Sequence, residues 1–213
     1  MPEKNKKSSW YAFAHAVASF WNRCVTPVCW HSREELKQRK APYILIANHQ
    51  SWSDVFILAC ACPCEITFLG KQELTRGRLA GWLLPRLHMI SVSRHEVDIA
   101  AMRACSKTLR EGHVLGIFPE GTRKLPEMMS VVEDGVSLLA LREKVPVIPV
   151  YIHGKPRPFH RIHTFIGAPL DIPADRRDPN RENALFVNEL IRDTFRHMRD
   201  TANGKDKKDE QIG

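Results

Sequence analysis

Along this chain, short apolar runs alternate with longer stretches in which apolar residues recur every three or four positions. The short runs are YILIA (43–47), EITFLG (65–70), MISVS (89–93), VLGIF (114–118), PVIPVYI (146–152) and HTFIG (163–167). Their β-branched and aromatic content predicts strands. Between them, residues 54–62, 78–87, 97–111, 133–144 and 181–200 carry the helical period; the last stretch places Leu185, Phe186, Leu190, Ile191 and Phe195 at that spacing. Strand and helix in alternation predict a single α/β domain in which helices flank a mixed, largely parallel central sheet.

The N-terminal thirty residues behave differently. Trp10, Phe13, Ala14, Val17, Trp21, Cys24, Val25 and Val28 recur at helical spacing behind Lys4, Lys6 and Lys7. Ser8 or Ser9 can cap this helix and Pro27 ends it. Asn22 and Arg23 interrupt the apolar run well short of the ~20 residues that span a bilayer. Two readings follow: an amphipathic helix docked on its own domain, or one lying in a membrane interface, where aromatic rings and lysines suit the headgroup region. The interfacial reading is preferred. The chain then divides into a membrane-associating segment (1–30), a main α/β domain (31–200) and a polar tail (201–213) expected to fray.

Composition narrows the partners. A length of 213 residues suits one core, and a formal net charge of +8 favours anionic partners such as lipid headgroups, phosphorylated metabolites or nucleic acid. The six cysteines lack Cys-x2-Cys units, and CACPC reads as small buried side chains, so no metal site is expected. Without a visible cleavable leader, reduced thiols and a cytosolic setting are expected. HGKPRPFHR (153–161) reads as a solvated loop.

Two loops carry the chemistry. NHQSWSD (48–54) leaves the strand YILIA at the end where open α/β sheets hold their sites. On a continuous helix His49 and Asp54 would lie about 140° apart, so the turn between them must fold back for the side chains to meet. An imidazole oriented by a carboxylate is a general base, and with no G-x-S-x-G in the chain the nucleophile can be the substrate's own hydroxyl. Ten histidines and ten aspartates in 213 residues give this spacing about 0.5 times by chance, so the pair is weak alone. The second loop, in VLGIFPEGTRK (114–124), ends a strand at Pro119, permits close backbone approach at Gly121 and offers the Arg123 fork and the Lys124 charge to an anion. It lacks the Gly-Lys-Ser/Thr unit of a P-loop.

NHQSWSD together with FPEGTR resembles the glycerolipid acyltransferases, the 1-acylglycerol-3-phosphate acyltransferases and their relatives, whose marks are N-H-x4-D and F-P-E-G-T-R. GKQEL, HMISVSR (88–94) and VPVIPVYI (145–152) follow the same family's blocks, so the likeness spans about residues 41–152. One position departs: His88 stands where the family's block opens with glycine, which bears on local shape and acceptor choice.

The resemblance implies transfer of a fatty acyl group from acyl-CoA or acyl carrier protein to a lysophospholipid hydroxyl, without an acyl-enzyme. His49 would be the base and Asp54 its orienter. Lys71, Arg94 and Arg123 would hold the acceptor's phosphate. Glu120, Gly121 and Thr122 would shape the substrate loop, Glu120 by binding a glycerol hydroxyl or by bracing Arg123. No cofactor is implied beyond the thioester co-substrate, and the setting would be the cytoplasmic side of a membrane bearing anionic lipids. Alternatives are another lysophospholipid or lyso-amino-acid lipid as acceptor and, more remotely, a non-catalytic basic module. Nucleic acid is not an expected partner, because no helix-turn-helix or RNP block is present.

Overall fold

The computed structural model describes residues 9–71, 89–92, 98–123 and 125–210, without the side chains of residues 9, 71 and 205–210. In chain order the elements are α1 (Ser9–Phe20), a π-helical turn (Trp21–Val25), β1 (Val28–His31), α2 (Arg33–Lys37), β2 (Tyr43–Ala47), α3 (Ser53–Ala61), β3 (Ile66–Lys71) and β4 (Met89–Val92). Then follow α4 (Ile99–Arg110), β5 (Val114–Ile117), α5 (Asp134–Glu143), β6 (Val147–His153), β7 (Ile162–Ile166), a 3-10 turn (Ala174–Arg176) and α6 (Arg181–Glu210). The seven strands form one sheet in the order β1-β7-β6-β2-β5-β3-β4. Among the described residues only the β6–β7 pair is antiparallel. The mixed, largely parallel sheet expected from the pattern is therefore the fold.

Strand β2 lies at the centre and each of its five residues is buried, which explains its unbroken apolar run: a parallel strand covered on both faces has no polar side to alternate with. Ile44 and Ile46 point into one core, shared with α4, α5 and α6; Tyr43, Leu45 and Ala47 point into the other, shared with α1, α2 and α3. Cys60 and Cys62 are buried, as their small apolar character suggests, and burial pushes the Cys105 thiol up to about 12. The buried Asn188 bonds the buried Ser137 and, at 2.7 Å, the exposed Asp134, tying α6 to α5.

Two expectations change. Residues 28–31 form an edge strand, so the sheet begins before the expected domain boundary at residue 30. Helix α6 runs on to Glu210, into the stretch read as a frayed tail. The reason is local: Ala202 is fully buried and extends the stripe of Ala184, Val187, Ile191 and Phe195 by about two turns. Helix α1 docks on the domain through Tyr11 and Ala18, and the π-helical turn after it through Asn22, leaving Trp10, Phe13, Val17 and Phe20 exposed. The Tyr11 hydroxyl accepts from Ile66 N at 3.1 Å, and Asn22 Nδ2 donates to the Phe56 carbonyl at 3.0 Å. Part of the apolar stripe thus faces outward, while a narrower, partly polar face is buried. The helix expected at 78–87 lies outside the described residues.

Candidate active site

Strands β2 and β5 are parallel neighbours with Ile46 opposite Ile117, so the loops that leave their C-terminal ends emerge side by side. These are NHQSWSD and FPEGTR. At the first residue beyond β2, the buried Asn48 side chain takes the place of a backbone pairing. Its Oδ1 accepts from Ile152 N at 2.8 Å and its Nδ2 donates to Ile152 O at 3.0 Å, fastening the loop to β6.

The chain then wraps around Asp54, which sits fully buried in the first turn of α3, where the helix N-terminus favours a carboxylate. One oxygen, Oδ2, accepts three bonds: from His49 Nδ1 at 3.0 Å, Gln50 N at 2.6 Å and Ser51 N at 2.7 Å. The backbone amides fold the five-residue interval back on itself, and the two side chains meet. The His49 ring lies flat on Phe118, with centroids 4.0 Å apart and planes 21° apart, and its side chain keeps 15% exposure. With Nδ1 donating to Asp54, Nε2 carries the ring's lone pair and can accept a proton.

Glu120 is also buried, and both its oxygens are committed to backbone: Oε2 accepts from His49 N at 2.7 Å and Oε1 from Met129 N at 2.8 Å. These bonds brace the histidine loop. Burial raises the pKa of Glu120, opposed by those N–H bonds. Gly121 adopts φ +58°, a left-handed conformation that glycine accepts without strain, and a Cβ there would sit 3.2 Å from Glu133 Oε1. Thr122 follows it, half-buried. Arg123 extends to solvent over the exposed Trp52 ring, with its guanidinium carbon 4.1 Å from the centroid.

Lys71 ends β3, a parallel neighbour of β5, so its backbone lies at the same end of the sheet as the two loops. Its side chain, and Arg94 and His88 altogether, lie outside the described residues. Sequence reasoning missed three participants: Asn48, Phe118 and Trp52. Each lies within or next to the quoted motifs, but their roles depend on the β2–β5–β6 adjacency, which no spacing reveals. Among the described residues, one group of side chains has metal-ligand spacing: Cys29, His31 and His163, on the far side of β6 from this site.

The Acyltransferase family matches residues 28–153, which takes in the sheet from β1 to β6 and both loops. The chain is 24% identical over 162 residues to the 1-acyl-sn-glycerol-3-phosphate acyltransferase of Bacillus subtilis, covering 73% of this chain and 80% of that protein. It is 27% identical over 177 residues to the enzyme of the same name from Streptococcus pneumoniae, covering 79% of this chain and 65% of that one. It is 33% identical over 114 residues to the lyso-ornithine lipid O-acyltransferase of Pseudomonas aeruginosa, covering 53% of this chain and 43% of that one. The crystal structure of the 1-acyl-sn-glycerophosphate acyltransferase PlsC from Thermotoga maritima shares the fold, with a TM-score of 0.64 at 22% identity over 89% of this chain and 78% of that one. With the family's match spanning most of the sheet and both loops that build the His49–Asp54 site, the chain belongs to the Acyltransferase family.

Proposed function

We propose that this enzyme moves a fatty acyl group from a thioester, on coenzyme A or acyl carrier protein, to the free hydroxyl of 1-acylglycerol-3-phosphate, giving phosphatidic acid. The observation that carries the reading is the His49–Asp54 pair, closed by three bonds to one carboxylate oxygen, beside a stacked Arg123. His49 Nε2 takes the acceptor's hydroxyl proton as the oxygen attacks the thioester carbonyl. Asp54 holds the tautomer and stabilises the imidazolium. The tetrahedral intermediate then expels the thiolate, which takes the proton back from His49, so no acyl-enzyme forms. Arg123 holds the acceptor phosphate, with Lys71 and Arg94 as further phosphate ligands. No cofactor enters this scheme.

A bilayer-resident acceptor and a thioester delivered from the cytosol meet at an interface. Exposed Trp10, Phe13, Val17 and Phe20 on α1, behind Lys4, Lys6 and Lys7, suit insertion into an anionic leaflet from the cytoplasmic side. No helix among the described residues is long and apolar enough to cross a membrane.

A second acceptor class, a lyso-amino-acid lipid, is favoured by the likeness to the lyso-ornithine enzyme and by His88 in place of glycine. Membership of an enzyme family speaks against the basic-module reading. The test offers 1-acylglycerol-3-phosphate and lyso-ornithine lipid side by side with palmitoyl-CoA in mixed micelles, with product mass as readout. Phosphatidic acid as the dominant product supports the first reading and an ornithine lipid the second. Neither product, with carrier-protein thioesters tried as well, removes both.

A further inference from the structure

We propose that Cys29, His31 and His163 form a zinc site that fastens the N-terminal edge strand to the sheet. The proposal is independent of the acyl-transfer reading. Strand β1 runs parallel to β7 with Cys29 opposite His163. Side chains alternate along a strand and partners in register share a face, so Cys29, His31 and His163 project from the same side of the sheet. The ligand atoms of all three lie within 4.8 Å of one another.

The two imidazoles meet nitrogen to nitrogen, His31 Nε2 at 3.0 Å from His163 Nδ1. Two ring nitrogens can approach so closely only with a proton between them or a cation bound to both. Zinc with bonds of about 2.0–2.3 Å in tetrahedral geometry places its ligand atoms about 3.3–3.7 Å apart, so the cluster needs only small adjustments to close on an ion. The His31 ring is already held, stacked on Phe165 with centroids 4.3 Å apart and planes 8° apart. All three side chains are half-buried, which lets an ion enter and leaves water as a fourth ligand.

One thiolate and two imidazoles select zinc over magnesium or calcium, which prefer oxygen. Binding releases the Cys29 thiol proton to solvent, while the imidazole that donated in the metal-free pair moves its proton to its other ring nitrogen. The effect is structural. Strand β1 has four residues, among the described residues pairs only with β7, and follows α1 and its π-helical turn in the chain. A bond between His31 and His163 joins positions 132 residues apart. Spacing rules miss such a site because its ligands come from two distant strands.

The experiment is cobalt titration of the full chain, metal-stripped and kept reduced with a phosphine. The wild type is expected to gain a thiolate-to-cobalt charge-transfer band and tetrahedral visible absorption, saturating at one ion per chain and displaced by zinc. Cys29→Ser is expected to lose the charge-transfer band, and His163→Asn to weaken binding about tenfold or more. Absence of the bands at saturating cobalt in folded protein overturns the proposal. So does a band that survives in Cys29→Ser, which assigns the ion to other thiols such as Cys62 and Cys64, whose sulfurs lie 3.5 Å apart. Should Cys29→Ser not fold, X-ray absorption on the zinc-loaded wild type decides. One sulfur with two imidazoles supports the site, and a shell with no sulfur or with several overturns it.

Discussion

The loop after β2 and the helix α1 use polar groups in opposite ways. In that loop and the one after β5, buried polar groups are tied to backbone: Asn48 to β6, Asp54 Oδ2 to two amides and the imidazole, and Glu120 to the amides of His49 and Met129. In α1, a few polar atoms anchor the helix while large apolar side chains face outward. A site whose geometry must not vary is over-determined by hydrogen bonds. A surface that is to meet something else keeps its apolar area uncovered. The contrast predicts that changes in the loop are read in turnover, and changes on the outer face of α1 in association with lipid.

The sharpest break is in the loop. His49→Ala is expected to lower turnover by roughly 10³–10⁴-fold and Asp54→Asn by roughly 10²–10³-fold, because an asparagine amide facing Nδ1 forces the wrong tautomer. Steady-state kinetics measure both, and circular dichroism checks that the fold persists. Trp52→Ala removes the platform under Arg123. A cation–π contact at an exposed site contributes about 0.5–1 kcal/mol, so the acceptor's KM should rise about two- to fivefold while kcat holds. A change in kcat alone would place Trp52 in the chemistry instead.

On α1, Phe13→Ser with Phe20→Ser should weaken binding to anionic vesicles about tenfold and leave stability within about 0.5 kcal/mol, since both rings are already exposed. Tyr11→Phe should do the reverse. It removes the acceptor of Ile66 N, costs about 1–2 kcal/mol in denaturant titration, and leaves vesicle binding unchanged. If both variants moved the same observable, the two faces would not be distinct.

The smallest effect concerns Glu120. Burial raises its pKa above the ordinary 4.5, so the folded chain holds that proton more tightly than the unfolded chain. Stability from this group is therefore greatest below 4.5 and falls as pH rises through the raised folded value. A Tm series from about pH 4 to pH 7 should show a downward component in the wild type that is missing in Glu120→Gln.

Much of the fold was legible where one physical effect dominates. The unbroken apolar runs of β2, β5 and β6 marked buried parallel strands, and the period of α4 and α5 marked their inner faces. Strand β1 was not legible, because VCWH is short, follows Pro27 and continues the apolar stripe of the helix before it. The docked face of α1 was not legible for a related reason. A stripe of apolar residues says that a face is apolar, not which body covers it, and a tyrosine hydroxyl with an asparagine amide won the docking. The site was legible as residues and illegible as geometry. His49, Asp54, Glu120 and Arg123 could be named from two motifs, but Glu120's role depends on two backbone amides that only the sheet order brings to it.

The central claim is that His49 activates the acceptor directly. Its most direct test is acceptor-dependent thiol release from palmitoyl-CoA, wild type against His49→Ala, with intact mass of the protein followed before acceptor is added. The account predicts release only with acceptor, no acyl adduct on the protein, and loss of turnover in the variant. Thiol release without acceptor that leaves an acyl group on the chain, or full turnover in His49→Ala, would contradict it.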